Sequence, residues 1–149
     1  MEGALVLMAA QVFDLEDQQI IEILSTAKTI ALLGASEKPE RDSHKVMRFL
    51  IEKGYQVFPV NPLLAGEKIL GREVFASIAE LPSSIDMLDV FRHSNYLYHI
   101  VKEAKLANIK CIWTQLGVTD TKAELLASEV DITMIVNRCP AIEIPRLRL

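Results

Sequence analysis

Residues 29–54 read TIALLG, ASEKPERD and SHKVMRFLIEKG in succession, and the fold turns on how these three pieces join. Residues 29–34 are an apolar run, rich in Ile and Leu, that closes on Gly34. That is the pattern of a strand buried on both faces. Residues 43–54 place Val46, Met47, Leu50 and Ile51 on one helical face and stop at Gly54. The loop between them carries Ser36, Lys38, Pro39 and Arg41, with Ser43 at its far border. Strand, loop and helix in this order form an anion-binding unit. Free backbone N–H groups and the positive end of the helix dipole meet there, with cations beside both.

Working outward, residues 15–27 carry Ile20, Ile21, Ile23 and Leu24, with Asp14 or Asp17 to cap them, and read as a packing helix. Residues 56–60 (QVFPV) form a second strand that runs into the Asn61-Pro62 turn. Pro59 cannot donate to a ladder, so it belongs where pairing fades. Residues 63–71 read as a loop, 73–75 as a short edge strand, and 77–81 as one helical turn closed by Pro82. Residues 85–91, 110–114 and 132–136 are further strands. Helices are expected between them, one from Ser94 or Asn95 and one opened by a Thr121/Glu124 capping box. The tail NRCPAIEIPRLRL has two prolines and is expected to lie extended over the surface. Alternating strands and helices imply right-handed crossovers and a mainly parallel sheet of five to six strands with helices on both faces. The fold class is α/β, Rossmann-like and doubly wound.

The chain has 149 residues, half of them hydrophobic. That suits a single domain over 1–149, with residues 1–14 as an N-terminal extension. A net charge of −4 argues against broad nucleic-acid binding, which needs a basic face. Two cysteines, Cys111 and Cys139, and the scattered His44, His93 and His99 offer neither a disulfide framework nor zinc-ligand spacing. No metal site is expected, and a reducing cytoplasm fits. The apolar start MEGALVLMAAQVF lacks a basic n-region and is too short to span a bilayer, so no membrane association is expected.

In a doubly wound sheet the ligand sits past the carboxyl ends of the strands, where strand order reverses. Topology therefore singles out 34–36, 61–62, 92–93, 115–117 and 137–139. The first crossing has Gly34 but no G-x-G-x-x-G, and the second strand ends in Asn61 rather than an acid that would hold a ribose. Both features count against an ordinary NAD enzyme. A long loop with Lys38 and Arg41, and Lys45 a turn further on, suits a ligand with several phosphates. Coenzyme A, with a pyrophosphate and a 3′-phosphate, fits that description.

Six motifs occur in order: GAS-x-K-P-x-R-x-S from Gly34, GY-x-V-x-PVNP from Gly54, ILGREVF from Ile69, DVFR from Asp89, W-x-Q-x-G from Trp113 and RCP from Arg138. Together they resemble the small stand-alone CoA-binding domain proteins, which are similar to the N-terminal CoA-binding domain of the succinyl-CoA synthetase α subunit. The resemblance spans about residues 27–147. It implies phosphate and adenosine contacts from Gly34, Ala35, Ser36, Lys38, Arg41 and Ser43. It puts Val60, Asn61 and Pro62 around the adenine, and Phe91, Arg92, Gln115 and Gly117 along the pantetheine path. This chain departs from the family in having His93-Ser94-Asn95 where a proline-bearing turn is common, and Asn137 where Asp is common. The resemblance covers only the nucleotide-binding part of the synthetase, so ligase chemistry by this chain alone is not expected.

Among single residues, Asp89 lies inside a strand, and a buried carboxylate there needs partners. Hydrogen bonds from the neighbouring loop backbone are the expected ones. Asp42 would repel a phosphate and is expected to point away, and Ser43 is expected to cap the helix. Cys139 reaches the ligand side beside Arg138, which is expected to lower its pKa. Two roles stay open for it, a mixed disulfide with the CoA thiol and an inert packed thiol. No catalytic residue is assignable. The reading is a CoA or acyl-CoA binding module, a carrier or regulator, with a homo-oligomer or a catalytic partner protein left open. The alternatives are an NAD(P) oxidoreductase or an acyl-CoA transferase or ligase subunit on the same fold, and a protein-interaction module with a vestigial pocket.

Overall fold

The computed structural model of the chain describes residues 14–82 and 84–149. The N-terminal extension, apart from Asp14, lies outside them. Helix α1 (Leu15–Thr26) leads into strand β1 (Thr29–Leu33), helix α2 (Asp42–Glu52) and strand β2 (Gln56–Val60). A hairpin of β3 (Lys68–Ile69) and β4 (Arg72–Glu73) follows, then β5 (Met87–Val90), α3 (Leu97–Leu106) and β6 (Cys111–Thr114). Helix α4 (Thr121–Glu129), strand β7 (Thr133–Ile135) and helix α5 (Pro140–Arg146) complete the chain. Five strands form one parallel sheet in the order β2-β1-β5-β6-β7. This is the expected Rossmann-like α/β fold, with five strands in its main sheet.

Successive strand residues serve opposite faces. Ile30, Leu32, Met87 and Trp113 pack with Ile20 and Leu24 of α1, Met47 and Leu50 of α2 and Ile144 of α5. Ala31, Leu33, Leu88, Val90 and Ile112 pack on the other side with Leu97, Ile100, Val101 and Ala104 of α3 and Ala123 and Ala127 of α4. Burial on both faces explains why the strands read as unbroken apolar runs. Each fully buried Leu or Ile contributes roughly 1.5–3 kcal/mol to the fold. Pro59 sits on β2, an edge strand paired only with β1 in the main sheet, so its missing N–H costs no ladder bond. The other edge of β2 is partly covered by the segment after β4: the Phe75 N–H donates to Pro59 O and the Asn61 N–H to Phe75 O.

Local expectations fail in three places. The tail does not lie extended. It forms α5, because Pro140 pre-sets the first helical turn and Ile144 and Leu147 reach the core. Ion pairs then tie α5 down: Arg138 and Arg146 both hold Glu143, Arg146 also holds Asp17 of α1 at 2.6 Å, and Arg138 holds Glu16 at 3.0 Å. Helix α4 is capped by Asp120, whose Oδ2 accepts from the Ala123 N–H at 2.9 Å, not by Thr121. Ser43 does not cap α2 either, since it lies inside the first turn and Arg41 occupies the cap position. No helix among the described residues is long and apolar enough to cross a membrane.

Candidate functional site

β1 and β5 lie side by side, but from their carboxyl ends the chain leaves toward opposite edges of the sheet, to β2 and to β6. A crevice therefore opens past Leu33 and Val90, the position a doubly wound fold offers to a ligand. Gly34 makes the turn possible. Its φ is +90°, and a Cβ there would stand 2.4 Å from the Phe91 carbonyl oxygen, so only glycine lets the two strand ends approach so closely. The Gly34 and Ala35 N–H groups both donate to Val60 O, at 3.0 and 3.2 Å. These two amides are spent on the fold and do not face a ligand. Val60 contributes through that carbonyl, its side chain being fully buried.

Two side chains hold the loop. Asn61 Nδ2 donates to Ala35 O at 2.8 Å while its Oδ1 accepts from the Leu63 N–H at 2.9 Å. His44, buried in the first turn of α2, places Nδ1 2.9 Å from Ser36 O and Nε2 3.4 Å from an Arg48 Nη. A guanidinium can only donate, so Nε2 accepts and the proton lies on Nδ1, which donates to Ser36 O. The Ser36 hydroxyl oxygen accepts from the Lys38 N–H at 3.1 Å. Sequence reading missed His44, because nothing in its spacing announces a contact eight residues back.

These restraints present the start of α2 to the crevice. No side chain caps this helix. His44 and Lys45 donate their N–H groups back to Arg41 O, while those of Asp42 and Ser43 have no partner among the described residues. Two open amides and the positive dipole end remain. A cleft of about 520 Å³ covers them, lined by Gly34, Ala35, Ser36, Glu37, Lys38, Arg41, Asp42, Ser43, Asn61, Leu63, Leu64 and Phe91. A second cleft of about 500 Å³ adjoins it through Asp42 and Phe91 and adds Lys45, Val46, Arg92, Gln115, Leu116, Val118, Cys139 and Ile142. The two form one groove, polar at the α2 end and apolar toward Leu116 and Ile142. Four cations line it against two acids. Asp42 faces both halves and does not point away, so Lys38, Arg41 and Lys45 must offset its repulsion of an anion.

Besides Val60, two of the candidates named above do not line the groove. Pro62 begins a one-turn 3-10 helix and lines a separate hollow of about 230 Å³ with Ser77, Arg92 and Tyr96. The Gly117 N–H donates to Asn137 Oδ1 at 2.7 Å, and Gly117 O accepts from the Ser94 hydroxyl at 3.3 Å. Gly117 thus links the ends of β6 and β7, with Asn137 at φ +59°, a conformation asparagine tolerates. Arg92 stacks 4.5 Å over the Tyr96 ring.

The floor of the second cleft holds a buried pair. Gln115 Nε2 donates to Asp89 Oδ1 at 2.9 Å. Asp89 is fully buried, and its Oδ2 has no hydrogen-bond partner. The loop backbone expected to satisfy it does not; a side chain satisfies half of it. Burial pushes the Asp89 carboxyl up to about 7, with the Gln115 bond pulling the other way. Cys139 is also buried. Burial raises its thiol pKa, the N–H groups of Ala141 and Ile142 offset this in part, and Asp89 and Asp42 raise it further. Arg138 does not activate it, because its guanidinium is engaged by Glu16 and Glu143. The arrangement can hold a phosphorylated ligand with an apolar arm. Among the described residues it assembles no group of His, Cys, Asp and Glu able to hold a metal ion.

Comparison with known proteins bears on this geometry. The family model described as "CoA binding domain" matches residues 28–145. The uncharacterized protein YneT of Bacillus subtilis is 33% identical over 121 residues, covering 81% of this chain and 88% of that one. The α subunit of an ADP-forming acetate–CoA ligase of Pyrococcus furiosus is 32% identical over 97 residues, 62% of this chain but only 21% of the subunit. Among solved structures, that of cell-free ID.343 from Thermus thermophilus superimposes with a TM-score of 0.84 at 40% identity, covering 88% of this chain and 98% of the other.

Proposed function

The chain belongs to the CoA binding domain family, and on that premise we propose that it binds coenzyme A or an acyl-CoA as a module without chemistry of its own. Residues 1–149 serve as one cytoplasmic binding unit. The pyrophosphate lies over the Asp42 and Ser43 amides, and Lys38 and Arg41 take the 3′-phosphate. Asn61 and Leu63 border the adenosine, and the pantetheine arm runs past Phe91 toward Gln115 and Cys139. The observation that carries this reading is the continuity of the groove. A phosphate-suited helix start opens directly into an apolar channel, as a ligand charged at one end and lightly polar along an arm requires.

The protein acts as a carrier or regulator of CoA, or beside a catalytic partner. The last role draws support from the likeness to a ligase α subunit of which this chain spans about a fifth. An NAD(P) enzyme is disfavoured by the single glycine of the first crossing and by Asn61, which spends its side chain on Ala35 and Leu63. Thermal unfolding tests the reading. CoA at a hundred times its Kd stabilises by about 2.7 kcal/mol, which raises Tm by roughly 5–10 °C for a chain of this size. A larger rise with NAD than with CoA would turn the reading toward an oxidoreductase. No rise with either would leave a protein-interaction module.

A further inference from the structure

The buried Asp89–Gln115 pair is a costly way to fill the core, because it leaves Asp89 Oδ2 without a partner. Asp89 lies in the middle of the sheet with Leu32 and Trp113 as its register neighbours, where an apolar residue of similar volume would avoid the cost of an orphaned oxygen. What the pair fixes is the direction of the Gln115 amide. Gln115 Nε2 is committed to Asp89 Oδ1, so Oε1 points elsewhere. Oε1 has no hydrogen bond among the described residues, yet it is not one of the enclosed, unpartnered atoms. Gln115 lines the arm half of the groove, and that is where Oε1 emerges.

Resting on the CoA reading above, we propose that Asp89 is a positioning residue that turns the Gln115 carbonyl oxygen into the groove as acceptor for an amide N–H of the pantetheine arm. Asp89 touches no ligand itself. Oδ1 accepts from the Gln115 NH₂ whether the carboxyl is ionised or carries its proton on the unpartnered Oδ2, so the NH₂ faces inward and the oxygen outward. Asparagine at position 89 would reverse this. With its NH₂ placed at the orphan position, two buried donors would go unmet. Donating that NH₂ to Gln115 Oε1 instead leaves one N–H and one carbonyl unmet, and an under-satisfied carbonyl is better tolerated than a second orphaned N–H. Gln115 then flips and presents a donor where the arm needs an acceptor.

Two measurements test this. In ¹⁵N spectra of the ligand-free protein, the Gln115 side-chain amide should show one hydrogen-bonded, slowly exchanging proton that is lost in Asp89→Asn and in Asp89→Leu. In calorimetric titrations, Asp89→Asn should weaken CoA roughly five- to tenfold, the worth of one hydrogen bond. Adenosine 3′,5′-bisphosphate, which has no arm, should bind wild type and variant alike. Equal weakening of both ligands would mean structural damage and would overturn the assignment, as would an unmoved Gln115 amide signal. Wild-type binding of both ligands with variants indistinguishable from it overturns this assignment alone. Failure of wild type to bind either ligand overturns the CoA reading and this assignment with it.

Discussion

Gly34→Ala probes the turn on which the site is built. At φ +90° a non-glycine residue pays a backbone penalty of about 1–2 kcal/mol. The added Cβ would also stand 2.4 Å from Phe91 O and 3.0 Å from Phe91 C. Both are backbone atoms, which no rotamer change can move. Relief requires the ends of β1 and β5 to part, which strains the bonds from the Gly34 N–H to Val60 O at 3.0 Å and from the Phe91 N–H to Leu33 O at 2.8 Å. Losing one or two such bonds costs about 0.5–1.5 kcal/mol each. The sum is about 2–5 kcal/mol, a large share of the stability of a domain this size. Urea unfolding followed by circular dichroism should show the midpoint falling with m unchanged. CoA binding should weaken in the variant that remains folded, because Ser36 and the start of α2 shift with the turn. A loss below about 0.5 kcal/mol, within the range of an ordinary surface substitution, would refute the claim that close approach of the strand ends demands glycine.

Other outcomes follow from the same geometry. Lys38→Ala combined with Arg41→Ala should weaken CoA far more than dephospho-CoA in parallel titrations; equal weakening would move the 3′-phosphate elsewhere. Asp89 holds its proton to about pH 7 in the fold and to about 3.9 when unfolded. The folded state therefore binds more protons between these values, and stability should fall as pH rises from about 4 to 7, with a slope from this group approaching about 1.4 kcal/mol per pH unit. Urea midpoints across that range should lose this component in Asp89→Asn, and an identical pH profile would place the titration on another group. Cys139, with its thiol pKa raised by burial, should form no adduct with CoA disulfide at pH 7 over hours; a mass increase reversed by reductant would show it to be reactive. Cys111, whose thiol burial pushes up to about 12, should stay unmodified in the same spectra.

The sheet was readable because both of its faces are covered. Ile30 through Leu33 are all buried, so the strands stand out as apolar runs, and the amphipathic face of α2 gives the strand-to-helix alternation. The rim of the groove was readable from the strand–helix alternation, which puts the residues just past parallel strands, Gly34, Gln115 and Cys139 among them, on one side of the sheet. What escaped the reading lies in contacts between elements distant in sequence. Helix α5 exists because Ile144 and Leu147 find core partners and Arg146 finds Asp17 on a helix near the other end of the chain, and no local signal outweighs its two prolines. His44 looked like a stray histidine until the loop folded back to place Ser36 O against it. Asp89 looked like a carboxylate awaiting loop amides. The loop after β5 turns into a 3-10 helix beginning at Ser94, and Gln115 from the neighbouring strand end takes the bond instead. The Asp42 side chain could not be oriented from sequence, because one residue of helical register decides whether it faces the groove or bulk water.

Backbone amide mapping during a CoA titration bears most directly on where the charged end of the ligand lies. The account expects saturable ¹⁵N–¹H shifts at Asp42, Ser43 and Ser36, extending to Gln115 and Cys139, with adenosine 3′,5′-bisphosphate reproducing only those near α2. Shifts confined to the opposite face, around Tyr98 and Lys122 between α3 and α4, or no saturable shift at all, would contradict it.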